Sequence, residues 1–447
     1  MINSDFLYQL KHAKNLLHPL TEKDSAYDPV FELCRRGQIV LVGEASHGTE
    51  EFYQIRAHLT QNLIENEGFM AVAIEWDWPD VVNANLYVQG KIEEGNWSKA
   101  LSGFQRFPDW MWRNKQTVAF LKWLRAFNQQ LPFNRQIGIY GLDLYSLYGS
   151  IDAVLSYLKK VDPNECKIAK LRYACFDSSR DPQSYGYLAS QGYQQTCAMQ
   201  ALQQFMELQH KPISYNDVQL ENAEAYFNAT QNAHLIKNAE TYYRSLFEGG
   251  ASSWNIRDRH MFETLAHLAS FLESTRGRPA KIVGWCHNSH VGDARATEVL
   301  ERGELNIGQL AKEHYGPNAI LIGFTTYKGT VRAAAAWGDL PQIFTVPPAL
   351  EESYEALFHT VGVERFFINF QEETGARELF RNSRYLHRAI GVVYRPQTER
   401  ASHYYHSNLS YQYDGVMHID TSHALEALHL VTPKTLKDLP ETYPSGM

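Results

Sequence analysis

The run Ile39-Val40-Leu41-Val42 leads straight into Gly43-Glu44-Ala45-Ser46-His47-Gly48, and a helical pattern leads away from it. Four apolar residues in a row, with no polar alternation, describe a strand buried on both faces, as in a parallel sheet covered by helices. After the glycine-framed motif, Phe52, Ile55, Leu59 and Leu63 recur at helical spacing and form one apolar face. Thr49 suits the N-cap, Glu50 and Glu51 suit the first turn, and Gly68 suits the stop. A second apolar run, Ala71-Val72-Ala73-Ile74, follows and ends in Glu75. This strand–helix–strand order predicts parallel pairing of the two runs through a right-handed crossover.

The pattern continues down the chain. Further buried strands are predicted at 137–140, ending in Gly141-Leu142-Asp143, at 281–286, ending in His287-Asn288-Ser289-His290, and at 319–322. A hairpin is predicted near 324–335, and strands at 365–370, 389–394 and 415–419. Residues 5–36 and 79–131 read as mainly helical, the latter interrupted by an aromatic stretch at 104–112. Between 145 and 275 the patterns are helical only, and a span that long is no simple crossover. The expected fold is therefore α/β, with a largely parallel central sheet flanked by helices and a large helical insertion over the C-terminal edge of the strands. The expected division is 1–144 for the first part of the core, 145–275 for the insertion or lid, 276–430 for the rest of the core, and 431–447 for a loosely held tail.

Polar groups follow four of these strands: Glu44 and His47, Glu75, Asp143, and His287 with His290. In open parallel sheets, ligands bind outside the carboxyl ends of the strands, so these groups are candidates for one site. Arg56, flanking the buried helix face, and Arg257-Asp258, expected to precede a helix, are candidate substrate contacts. Each has a plainer reading. Asp143 suits a helix cap, Glu75 a structural ion pair, Arg56 an ordinary surface position, and Arg257-Asp258 a salt-bridged helix start. Three chemistries are open to the set. A histidine can activate water while a carboxylate fixes its tautomer and a second histidine or an arginine meets the oxyanion. Glu44-x-x-His47 and His287-x-x-His290 can ligate a metal. Ser46 or Cys286 can act as nucleophile, although Ser46 lacks the G-x-S-x-G elbow and Cys286 lies in an apolar strand. Water activation ranks first and the metal second. The aromatic segments Trp76-Asp77-Trp78 and 104–112 offer the wall of a large cleft or ordinary core.

Composition narrows the partners. A net charge of −8 gives no basis for polyanion binding, so nucleic acid is not expected. No run approaches the length that spans a bilayer, and no membrane association is expected. The five cysteines, at 34, 166, 175, 197 and 286, are odd in number and contain no C-x-x-C pair. They argue against a disulfide framework and for a reducing, cytoplasmic setting. Oligomeric state leaves no signal.

The chain resembles the erythromycin esterase family. The resemblance rests on Gly43-Glu44-Ala45-Ser46-His47-Gly48 followed by Glu51-Phe52, on Arg56, on Ala73-Ile74-Glu75, on Arg257-Asp258 and on His287-Asn288-Ser289-His290-Val291. Bacterial homologues described as succinoglycan biosynthesis proteins share the signature. The resemblance implies hydrolysis of a carboxylic ester, a macrolactone of antibiotic type in the best-known members, with no required metal or cofactor. It implies that His47 is the base on water and Glu44 its partner, with Glu75 and His287 also catalytic. Arg56, His290, Arg257 and Asp143 are expected to bind a small-molecule ester. Other readings are a metal-dependent hydrolase using the same Glu/His cluster, and a non-catalytic binding or biosynthesis-accessory protein.

Overall fold

The computed structural model describes residue 8, residue 10 and residues 14–179, 181–210, 220–372 and 375–428. Its strands are β1 (His18–Pro19), β2 (Ile39–Val42), β3 (Ala71–Asp77), β4 (Gly138–Asp143), β5 (Ile282–Trp285), β6 (Ala319–Ala333), β7 (Gln342–Val346), β8 (Arg365–Asn369), β9 (Tyr385–Arg388), β10 (Tyr404–Ser407) and β11 (Gly415–Ser422). The chain divides into two compact units. The first comprises Met1–Val72, Gln105–Leu124 and Lys281–Met447, the second Ala73–Phe104 and Arg125–Ala280.

In the first unit, β1, β8, β11, β6, β2 and β5 lie side by side in that order. The ladders β11/β6, β6/β2 and β2/β5 are parallel, while β1/β8, β8/β11 and the flanking β6/β7 are antiparallel. Every residue of β2 and of β5 is buried, as their unbroken apolar sequences require. The helix Glu50–Glu67 follows β2, with Thr49 at its N-cap and Gly68 closing it in the left-handed conformation. Its apolar positions Phe52, Ile55, Leu59 and Leu63 are all buried. In the second unit β3 and β4 are neighbours. The long helices Leu147–Val161, Leu220–Ser245 and Ser252–Arg276 lie in the same unit. Mixed, mostly parallel strands flanked by helices make this the expected α/β class. Among the described residues no helix is long and apolar enough to cross a membrane.

Several expectations are corrected. The two neighbours of β2 are β5 and β6, both far away in sequence, so the run at 71–74 does not pair with it. Burial on both faces makes such strands interchangeable to local reasoning; long-range packing chooses the partner. The predicted hairpin at 324–335 is one continuous strand, whose antiparallel partner is β7. Gly329, inside that strand, admits the Ser422 carbonyl at a distance that no Cβ would tolerate. Apolar residues at 389–394 are buried but make only isolated bridges, through Ile390 and Val393. The nearby strand is β9, which carries His387 and Arg388 in the core. Within 14–36 the only α-helix is Asp28–Cys34, and the predicted tail at 431–447 lies outside the described residues. Cys175 and Cys197 are bridged, with Cα atoms 5.9 Å apart, while Cys34, Cys166 and Cys286 are buried thiols. Trp76, Trp78, Phe104, Trp110 and Trp112 are all buried, and Trp78 lines a cavity with Tyr140 and Phe227.

Candidate active site

The chemistry of the first unit gathers where β2 ends. The chain leaves the strand at Gly43 and reaches the helix Glu50–Glu67 within seven residues, and the loop between is held on several sides. Ile390 donates its N–H to the Ala45 carbonyl at 2.9 Å, and the His47 N–H donates to the Ile390 carbonyl at 3.4 Å. The Tyr53 hydroxyl donates to the His47 carbonyl at 3.0 Å, and the Ser46 and Thr49 hydroxyls pair. The Gly48 carbonyl accepts from both Arg332 and Leu425. A Cβ at Gly48 would stand 1.8 Å from the Arg332 carbonyl oxygen, so glycine is required for this close approach.

That loop aims two buried side chains at each other. His47 Nδ1 lies 2.9 Å from Glu44 Oε1, with exposures of 3% and 1% for the two residues. Arg56, wholly buried, projects from the following helix and places Nη2 at 2.7 Å from the other carboxylate oxygen of Glu44. Its guanidinium also rides over the rings of Tyr53, at 4.3 Å, and Trp285, at 5.2 Å. A buried carboxylate needs partners, and here a histidine and an arginine supply them on its two oxygens, which fixes the ring beside it. Arg56 is therefore no surface residue.

The His287 ring packs against that of His47, with centroids 4.7 Å apart. His287 caps the short helix Asn288–Val291, its Nδ1 accepting from the Ser289 N–H at 3.3 Å and lying 2.9 Å from the Ser289 hydroxyl. An accepting Nδ1 leaves the proton of a neutral ring on Nε2. His290, on the same turn, is 1% exposed. Asn288 clamps this turn to β6: its Nδ2 donates to the Phe324 carbonyl at 2.7 Å and its Oδ1 accepts from the Phe324 N–H at 3.2 Å. Its own N–H donates to the Glu44 carbonyl at 2.9 Å. Asn288 was not singled out in the sequence; its position between two histidines was the available signal.

The second unit holds the remaining candidates. Arg257 grips Asp143 through Nε at 3.0 Å and Nη2 at 2.7 Å, and reaches Glu75 through Nη2 at 2.8 Å. All three are at most 5% exposed. Burial opposes the charge on Arg257, but Asp143, Tyr145 and Glu75 outweigh it and hold the guanidinium well above its ordinary pKa. Arg257 lies inside the helix Ser252–Arg276, not ahead of it, and Asp143 grips it instead of capping the next helix. Among the described residues, no group of three or more His, Cys, Asp or Glu side chains is placed to share a metal ion.

Known proteins share this architecture. The chain is 22% identical over 384 residues to erythromycin esterase type II of Escherichia coli, covering 80% of this chain and 87% of that one. The crystal structure of a succinoglycan biosynthesis protein superposes with a TM-score of 0.76 at 20% identity, over 95% of this chain and 99% of that one. A mutant of the erythromycin esterase EreC, in its open conformation, gives 0.61 at 17% identity, over 91% and 96%. The family model described as erythromycin esterase matches residues 64–422. With a match over most of its length, this chain belongs to the erythromycin esterase family.

Proposed function

We propose that this protein hydrolyses a carboxylic ester with water activated by His47. The observation that carries the reading is the buried His47–Glu44 pair, backed by Arg56 on the far carboxylate oxygen. Nδ1–H of His47 donates to Glu44, which leaves Nε2 unprotonated and basic toward water. As the water oxygen bonds to the acyl carbon, its proton passes to His47 Nε2 and the carbonyl π electrons move onto oxygen. The Nε2–H of His287 donates to that oxyanion. Collapse breaks the bond to the alkoxide, which takes the proton back from His47 and leaves as the alcohol. Asp143 and Glu75 keep Arg257 charged and fixed, and Arg257 is proposed as a substrate-binding cation of its own unit. The membership of the family and the named esterase among the relatives favour an ester; a macrolactone is one substrate to test.

The test uses p-nitrophenyl acetate and erythromycin with the wild-type chain and His47→Ala. Turnover that falls about a hundred- to ten-thousand-fold in a variant of unchanged circular dichroism supports the base assignment. Turnover equal to wild type sinks it. Turnover that survives dialysis against a chelator is the outcome expected of water activation by histidine alone.

A further inference from the structure

Four parallel-ladder strands of the first unit have a second edge, where β2, β6 and β11 begin. A cavity of about 530 Å³ opens there. β2 is four residues long, so roughly 13 Å of sheet separates this edge from the Glu44–His47 loop.

The lining is cationic in a chain that is acidic as a whole. Arg36, Arg295, Lys312 and Arg377 face it, and among the described residues Asp293 and Asp414 are the acids that line it. The acids are already matched. Asp414 takes Lys312 Nζ at 2.9 Å, Gln371 Nε2 at 2.7 Å and the Leu321 N–H at 2.7 Å. Asp293 takes the Arg295 guanidinium at 2.9 and 2.7 Å, and Glu313 lies behind that same guanidinium at 3.5 Å. Four lining cations less the two lining acids and Glu313 leave one net positive charge, and Arg36 and Arg377 are the two cations that these acids do not hold. Among the described residues neither has an ion-pair partner; Arg377 lies only over the ring of Tyr411, at 5.4 Å, and that ring is 46% exposed on the same cavity. A concave surface with two uncompensated guanidiniums focuses positive potential and favours doubly anionic ligands, because each guanidinium offers a fork of donors. The saturated Lys312–Asp414 and Arg295–Asp293 pairs hold other parts of the wall in place.

We propose that this cavity is a binding site for a small molecule bearing two or more anionic groups, phosphate or carboxylate, and that Arg36 and Arg377 hold it. It is separate from the ester chemistry and independent of it.

Isothermal titration of the full chain with inorganic pyrophosphate and with citrate, at low and at physiological ionic strength, tests the site and distinguishes the two anion types. Saturable binding of either anion is expected, weakened by salt, and weakened at least tenfold in the Arg36→Glu/Arg377→Glu double variant. Arg135→Glu, an exposed substitution in the other unit, is expected to bind as wild type does. If the double variant fails to fold by circular dichroism, Arg36→Gln/Arg377→Gln replaces it with the same expectation. No saturable binding of either anion by the wild type, or equal binding by the folded double variant, overturns the proposal.

Discussion

In the proposed mechanism His47 gives one ring nitrogen to Glu44 and keeps the other for water, so the carboxylate decides which tautomer exists. Glu44→Gln keeps the shape of the side chain, but its amide can donate to Nδ1 and move the imidazole proton to Nε2. The expected result is a kcat lower by about a hundred- to ten-thousand-fold, of the order that general base catalysis supplies, with KM little changed. The same substitution removes the carboxylate beside Arg56, which is wholly buried. Leaving a buried charge without its partner costs about 3–5 kcal/mol, so the urea midpoint is expected to fall as well, and kcat must be normalised to folded protein. Gly48→Ala tests the loop itself. The added carbon meets a backbone carbonyl at 1.8 Å, and no flexible side chain is there to yield. A loss of about 1–3 kcal/mol is expected in urea unfolding, with turnover reduced because His47 is the preceding residue. Among individual residues, the Glu44–His47 pairing was legible because a Glu and a His three apart between glycines can meet, whereas the contact of Arg56 with Glu44 needed the fold. Asn288 was not legible, because an asparagine between histidines has no distinctive pattern until Phe324 is found opposite it.

At the level of elements, the helical turn Asn288–Val291 carries His287 and His290, and the Asn288 side-chain amide ties it to β6. Asn288→Asp keeps the acceptor for the Phe324 N–H and turns the donor into an oxygen facing the Phe324 carbonyl. Lower stability and a lower kcat are expected together, while Asn288→Gln, which retains both functions on a longer arm, is expected to recover part of each; unfolding and steady-state turnover measure the two. The helix Ser252–Arg276 is tied to β3 and β4 in another way, through one arginine between two carboxylates. Arg257→Leu leaves Glu75 and Asp143 buried as like charges, and a loss of about 3–5 kcal/mol is expected. The pair was visible in the sequence, but its place was not. A helix was expected to start after Arg257-Asp258, whereas the structure extends it back to Ser252, because neither residue is a helix breaker and buried partners await both the arginine and the turn before it.

At the scale of the whole molecule, buried histidines contribute to the response to acid. In the first unit burial pushes His403 down to about 4, and its Nε2 accepts from the Arg395 N–H at 3.1 Å. In the second unit burial pushes His267 down to about 4, while the hydrogen bond from His234 holds Glu263 at about 2. Each of these groups binds its proton less readily in the fold than in the unfolded chain. Their stabilisation is therefore present above pH 6.5 and is lost as the pH falls, first between 6.5 and 4 for the histidines and then from 4.5 toward 2 for Glu263. Urea midpoints are expected to decline through the first window, and His403→Gln is expected to flatten the slope there. The sequence by itself determined several elements and the chemical kinds: the apolar runs at 39–42, 71–74 and 281–286 marked buried strands, helical spacing marked the Glu50–Glu67 face, and Glu44-x-x-His47 between glycines marked a polar loop at a strand end. Those are short-range properties, set by periodicity and by the backbone freedom of glycine. The tertiary structure decided which strands lie beside β2, that residues 319–333 run as one strand, and that Arg56 and Arg257 are each buried against a carboxylate. It also decided that the opposite edge of the sheet gathers four cations. All of these join residues far apart in the chain, and their energies exist only once packing has brought the partners together.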